Sequence, residues 1–267
     1  MPILVDYHTH TPRCKHAVGP MEGYVEKAIA IGLEEIGFSD HNPLPNGLGS
    51  NVRMDERELD AYVADVLKLR ERYRGKIAVR LGLEMDYVEG LDDYLEKQRR
   101  AHPWDYVIGS VHYLDRACKQ ISWPRNFAGD IHTIYERYYT LVRQLARTGF
   151  YDIVAHFDLP KRSAQDATER EAAAVTQTLK EVARVGMCIE INTSGHRHPE
   201  LKRPESYPTW PIVAEALALG IPLTVNSDAH APDHVGEQFP AVAAKLRELG
   251  CKNLARFAGG KRQMYAL

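Results

Sequence analysis

Apolar and polar positions follow two alternating periods along this chain. Stretches with apolar residues three and four apart end in glycine, and a short β-rich run that finishes in polar residues follows each of them. MEGYVEKAIAIG leads into LEEIGFSDHN, DIHTIYERYYTLVRQLARTG into FYDIVAHFD, EAAAVTQTLKEVARVG into MCIEINTSG, and PTWPIVAEALALG into IPLTVNSDAH. Gly32, Gly149, Gly186 and Gly220 stand where a left-handed cap would end each helix. Helix starts are marked by Asp55 with Glu58, by Asp130, by Thr168 with Glu171, and by Ser206 before Pro208. With ILVDYHTH, KIAVRLGLEMDY and WDYVIGSVHYL the strand candidates number seven.

Strands separated by helices predict parallel pairing. Polar residues gather at the C-terminal end of every strand, and a closed barrel converges those ends on one mouth. An open doubly wound sheet would concentrate its site at one switch point, and no GxGxxG follows the first strand. The pattern therefore predicts an α/β barrel forming a single domain over residues 1–267. No eighth strand of similar quality is found, because NLARFAGGK is short and ends in glycines. Residues 42–51 and 195–208, rich in turn formers, read as long loops at the mouth.

The strand ends carry the candidate chemistry. His8 and His10, two apart on one strand, point to one side. Next come His41 beside Asp40, then Glu84, His112 and His156, and finally Asp228 with His230; His16 lies in a loop close enough to fold back. One strand-end histidine is ordinarily a cap or a surface group. So many at one mouth would bury polar groups at heavy cost unless a cation neutralised them. Nine ligating side chains exceed the needs of one ion, so at least two metals are expected. Glu84 is the best placed bridging carboxylate and Asp86 competes with it; Asp40 is equally suited to orienting a ligand or to ligation. His102, His132 and His234 read as solvent-exposed.

Composition narrows the partners. The 34 basic and 36 acidic residues nearly balance, which favours a small-molecule substrate over nucleic acid or a membrane surface. Four scattered cysteines without a CxxC pair argue against a disulfide framework and a zinc ribbon, and fit the cytoplasm. No leader-like start and no apolar run of about 20 residues is seen. The expected mouth loops are basic: LPKR, GHRHPELKR and WPRN supply Arg162, Arg197 and Arg125. Guanidinium forks match phosphate oxygens in pairs, so Arg162 and Arg197 are the leading phosphate contacts. His196 and His198 lie on the substrate-facing loop, and Trp104, Tyr113, Trp123 and Tyr207 are suited to shaping an organic pocket.

The motifs DYHTH, His16, SDH, GLEMD, SVH, AHFD and SDAH together resemble, in order and spacing, the polymerase and histidinol phosphatase (PHP) superfamily of metal hydrolases. IGSVHYL, IVAHFDLPKR and EINTSGHR look like its histidinol-phosphate phosphatase branch. The resemblance implies a distorted (β/α)7 barrel and three metal ions, divalent or mixed-valence, with zinc, iron or manganese compatible with the donors. It implies that His8, His10, Glu84 and Asp228 hold one ion, that His16, His41 and His230 hold a second, and that Glu84, His112 and His156 hold a third. It places Asn192 and Arg197 on the substrate side.

The expected reaction is hydrolysis of a small phosphate monoester, L-histidinol phosphate, by metal-activated hydroxide. Glu84, Asp228 and His230 stand at the reacting centre, and Asp228, His230 and His196 are candidates to protonate the leaving group. Three rival readings fit less well. A phosphoesterase acting on nucleotides or nucleic-acid ends lacks a basic stripe with interleaved aromatics. An amidohydrolase would place a lysine at a strand end where Glu84 stands, and a non-catalytic metal-binding module would not need every ligand intact. Oligomeric state is not written in the pattern.

Overall fold

The computed structural model describes residues 2–124, 129–163, 169–201 and 203–267. Seven strands, β1 (Val5–Asp6), β2 (Glu35–Phe38), β3 (Ala78–Asp86), β4 (Tyr106–Ser110), β5 (Ile153–Val154), β6 (Cys188–Asn192) and β7 (Leu223–Asn226), pair in chain order. Every pairing is parallel. The helices are α1 (Met21–Ala30), α2 (Leu59–Arg72), α3 (Asp92–Ala101), α4 (Ile131–Thr148), α5 (Glu169–Val185), α6 (Trp210–Ala218) and α7 (Phe239–Glu248). Beyond β7 the sheet bends round to meet its first strand: His10 N donates to the Ala229 carbonyl at 2.9 Å, and Ala229 N to the His8 carbonyl at 3.0 Å. The result is a nearly closed seven-stranded barrel.

Local signals explain most boundaries. Gly32, Gly149, Gly186 and Gly220 all adopt positive φ, which lets the chain reverse after each helix without a Cβ clash. Asp55 and Glu58 form a reciprocal capping box on the short turn before α2. The Asp130 side chain accepts from His132 N at 3.1 Å and so caps α4. Thr168 lies outside the described residues. Ser206 does not open α6; the cap position is Thr209, and Pro211, whose fixed φ suits the first turn, lies two residues on. α4 buries Ile134, Tyr138, Leu141, Val142 and Leu145 along one stripe, each contributing about 1.5–3 kcal/mol of hydrophobic stabilisation.

The segment expected not to supply a barrel strand does form β8 (Asn253–Ala258), but this strand pairs antiparallel with β9 (Lys261–Ala266), outside the barrel. The hairpin closes the N-terminal floor. Phe257 N donates to the Tyr7 hydroxyl at 3.0 Å, which donates in turn to Glu35 at 2.6 Å, and Gly259 N donates to Asp105 at 2.8 Å. The Tyr106 ring fills the interior between β2 and β3. A Cβ at Gly37 or Gly82 would lie 2.1 or 2.2 Å from its atoms, so glycine is required at both positions. Among the described residues no helix is long and apolar enough to cross a membrane.

Candidate metal centre

The C-terminal mouth of the barrel is polar where the floor is aromatic. Strand alternation turns His8 and His10 inward together, both fully buried, with ring centroids 5.1 Å apart. Glu84, near the end of β3, stands at the focus of five imidazoles. Its Oε2 lies 2.7 Å from His41 Nδ1, 3.3 Å from His8 Nε2 and 3.6 Å from His10 Nε2. Its Oε1 lies 3.2 Å from His156 Nε2 and 3.5 Å from His112 Nε2. Asp228, just past β7, takes a left-handed φ of 52°, a conformation aspartate tolerates better than most residues. That turn aims its Oδ1 at His10 Nε2, 3.1 Å away, and at His8 Nε2, 3.6 Å away.

Several rings are fixed from behind by an acceptor, leaving the other nitrogen as a free lone pair. His8 Nδ1 is 2.9 Å from Glu190, His112 Nδ1 is 3.0 Å from Asp86, His16 Nδ1 is 2.7 Å from the Cys14 carbonyl, and His230 Nδ1 is 3.0 Å from the Asp228 carbonyl. A proton held on each Nδ1 leaves Nε2 able to ligate. His16 Nε2 and His230 Nε2 then face one another at 2.9 Å as two acceptors, a repulsive arrangement that a shared cation would resolve.

The same need recurs deeper in the mouth. His8 Nε2, both ring nitrogens of His10, His41 Nδ1, Glu84 Oε2 and His156 Nδ1 are buried without a hydrogen-bond partner. Each buried polar atom left so costs about 1–3 kcal/mol. Among the described residues ligand atoms lie within 4.8 Å of one another in five groupings, three of which are His8, His10 and Glu84; His16, His41 and His230; and Glu84, His112 and His156. Nitrogen and oxygen donors at this spacing fit divalent metal ions, which would satisfy His8 Nε2, a nitrogen of His10, His41 Nδ1 and Glu84 Oε2.

Electrostatics follow from the crowding. Burial opposes ionisation of Glu84, yet His41, His8 and His112 hold its carboxyl well below the usual range. Burial likewise opposes ionisation of Asp228, and His8 and His10 overcome it. Burial pushes His41 down to about 3, despite Glu84, and pushes Asp40 up to about 7. Asp40 accepts from Thr11 N at 2.6 Å and sits 3.7 Å from His10 Nδ1, behind the ring. Asp86 backs His112 and pairs with buried Arg53 at 2.7 Å; its oxygens also lie within ligand spacing of His41 and His112.

Above this centre opens a cavity of about 1100 Å³. Arg162 and Arg197 both line it, with Tyr113, Trp123 and His198. Arg162 stacks over Trp123 at 5.0 Å and donates through Nε to Glu200 at 2.7 Å. Arg197 is more fully engaged: its fork donates to the carbonyls of Ser227 at 2.6 Å and Asp228 at 2.9 Å, and to Glu237 at 2.9 Å. Asn192 is buried beneath the wall, where its amide donates to Glu190 at 2.8 Å and Asp228 at 3.2 Å. His196 turns to Ser206, 3.3 Å from its hydroxyl, whereas His198 faces the cavity.

Other side chains depart from the sequence reading. His234 lines the cavity instead of facing open solvent. His102 and His132 are partly covered, beside Asp60 and Glu171. Trp104 packs in the hydrophobic core, its carbonyl 3.8 Å from where a Cβ on hairpin residue Gly260 would lie; Tyr207 is buried beside His156. Arg125 lies outside the described residues. Sequence reasoning missed Glu190, which holds His8 Nδ1, His156 N at 2.9 Å, Asn192 and Asn226 together. Its signal was an acid between two isoleucines inside a strand, CIEIN, where only a ligand-orienting role makes burial tolerable.

A (β/α) barrel with imidazoles and carboxylates clustered at its mouth is the arrangement of the metal-binding barrels. Comparison with known proteins narrows it: the PHP domain matches residues 6–194, and the chain belongs to the PHP domain family. A "probable histidinol-phosphatase" of Deinococcus radiodurans is 36% identical over 92% of this chain and 94% of its own length. The histidinol-phosphatase of Bacillus subtilis is 29% identical over 88% of this chain and 97% of its own. Among solved structures, a histidinol phosphate phosphatase of Lactococcus lactis, complexed with zinc, L-histidinol and phosphate, shares the fold. It has a TM-score of 0.82 and 21% identity, covering 97% of this chain and 98% of that one.

Proposed function

We propose that this chain hydrolyses L-histidinol phosphate to L-histidinol and phosphate, within L-histidine biosynthesis in the cytoplasm. The observation that carries the reading is Glu84 at the focus of five imidazoles, below a cavity walled by arginine and aromatic side chains. The curated relatives named for this activity, matched along nearly their whole length, support it.

His8, His10, Glu84 and Asp228 would hold one ion, His16, His41 and His230 a second, and Glu84, His112 and His156 a third. Zinc is the leading identity, since the Lactococcus lactis structure holds it; iron and manganese accept the same donors. Divalent ions bound here supply an acidified water and positive charge for the phosphoryl oxygens. Arg162 keeps its terminal amino groups free of bonds among the described residues and meets a phosphate oxygen. Arg197 and Asn192 fix the Asp228 turn, one through its carbonyl and the other through its carboxylate.

Asp228 and His230 stand nearest the reacting centre for proton transfer, while His196, turned to Ser206, is the more remote candidate. Burial and Arg162 push His198 down to about 4, so at neutral pH its uncharged ring can accept a hydrogen bond from the organic part of the substrate. Steady-state turnover before chelation, after chelation and after zinc readdition tests the proposal on a panel of histidinol phosphate, nucleoside monophosphates and an oligonucleotide. The expected result is metal-dependent turnover of histidinol phosphate above all others. Turnover indifferent to chelation, or a nucleotide preferred, would overturn it.

A further inference from the structure

Cys14 is the one buried thiol beside the ligand ring. It ends a 3-10 turn, Pro12–Cys14, that a left-handed Lys15 closes at φ 69°, and this turn carries the side chain fully out of solvent toward the ring. Its sulfur and one ring nitrogen each of His10 and His230 lie within 4.8 Å of one another, a spacing that a single ion can bridge. The second observation is independent of the thiol. His10 is fully buried and both its ring nitrogens lack a hydrogen-bond partner, although its ring stacks on His230 at 4.1 Å. The Cys14 carbonyl meanwhile orients His16 from behind, so one residue serves this corner of the ring through both backbone and side chain.

We infer that Cys14 supplies a thiolate ligand to the outer metal ion, the one His230 would hold, at the corner where Cys14, His10 and His230 meet. The inference rests on the metal-centre reading above. A sulfur donor makes that corner softer than the nitrogen and oxygen donors of the other groupings, so it favours zinc over manganese there, whereas the Glu84 corner stays tolerant of both. Metal entry displaces the thiol proton to solvent and forms a sulfur–metal bond, with no change of oxidation state.

Cobalt(II) loaded into the full-length metal-free chain reads this out spectroscopically. The wild type should show a near-ultraviolet thiolate-to-cobalt charge-transfer band that saturates with one equivalent. Cys14→Ser should lose the band while keeping the visible cobalt transitions of the remaining sites. Cys118→Ser, which alters a thiol that lines the cavity, should retain the band. In zinc competition against a chromogenic chelator, Cys14→Ser should weaken the outer site by about tenfold or more, since even partners behind a ligand are worth 10–100-fold. Cobalt bound with visible transitions but no charge-transfer band in the wild type would overturn the thiolate and leave the metal centre standing. No cobalt bound at all would overturn both. A circular-dichroism melt of each variant checks the fold, and the wild-type spectrum decides the matter even if Cys14→Ser does not fold.

Discussion

The two ends of this barrel solve opposite problems. At the floor, Tyr7, Tyr106 and Phe257 pack with centroids 4.8 to 6.4 Å apart, and their polar neighbours find partners: Tyr7 with Glu35, Glu35 with Arg80 at 2.7 Å, Asp105 with Leu81 N at 2.8 Å. At the mouth, side chains of equal burial are left with orphaned nitrogens. Buried polar groups are ordinarily satisfied, so a cluster of exceptions marks a place built around something else. The floor carries stability, and the mouth gives some of it up for chemistry.

Changes at the mouth should therefore damage turnover and metal content far more than the fold. The largest effect is expected from Glu84→Gln, which removes the carboxylate shared by two ligand groupings. Turnover should fall on the order of a thousandfold or more, and elemental analysis should find more than one ion lost per chain. His8→Asn should cost bound metal and most of the activity while the metal-free chain melts no lower than wild type. Equal losses in melting temperature at both ends would break the contrast.

Glu190→Gln probes a layer further out. The carboxylate behind His8 becomes a neutral amide, and metal affinity by competition titration should drop about 10–100-fold with the fold intact. Tyr106→Phe tests the floor in the opposite sense. It removes a buried hydroxyl that donates to the Tyr7 carbonyl, so chemical denaturation should show a loss of about 1–3 kcal/mol while turnover stays near wild type.

The smallest effect concerns the cavity rim. Burial opposes ionisation of Glu200, but its bond to Arg162 wins and brings it down to about 2. A carboxyl depressed on folding adds stability above its unfolded value of 4.5, and that stability is lost as pH falls toward 2. Glu200→Gln should flatten the decline in denaturation free energy between pH 5 and 3 by about 1 kcal/mol, solvent screening included. An unchanged slope would remove Glu200 from the account.

The fold was legible because four helices are closed by a glycine with positive φ and polar residues stand at or just past the barrel strand ends, two signals that survive without tertiary information. The ring was legible for the same reason, since strand ends in a barrel must converge. What escaped was whatever depends on the direction a side chain takes. Ser206 is the cap the sequence points to, and only the backbone moves that position to Thr209. His196 and His198 are equivalent in SGHRHPE, yet the turn sends one to Ser206 and the other into the cavity. Arg197 read as a phosphate contact, and its fork is bound mainly to carbonyls of its own mouth.

The central claim is that the orphaned mouth atoms are a cradle for metal ions. Anomalous diffraction at the zinc edge from crystals of the zinc-loaded chain tests it most directly. Peaks are expected bounded by His8, His10, Glu84 and Asp228, by His16, His41 and His230, and by Glu84, His112 and His156. A mouth without anomalous density at saturating zinc, or density only elsewhere on the chain, would contradict it.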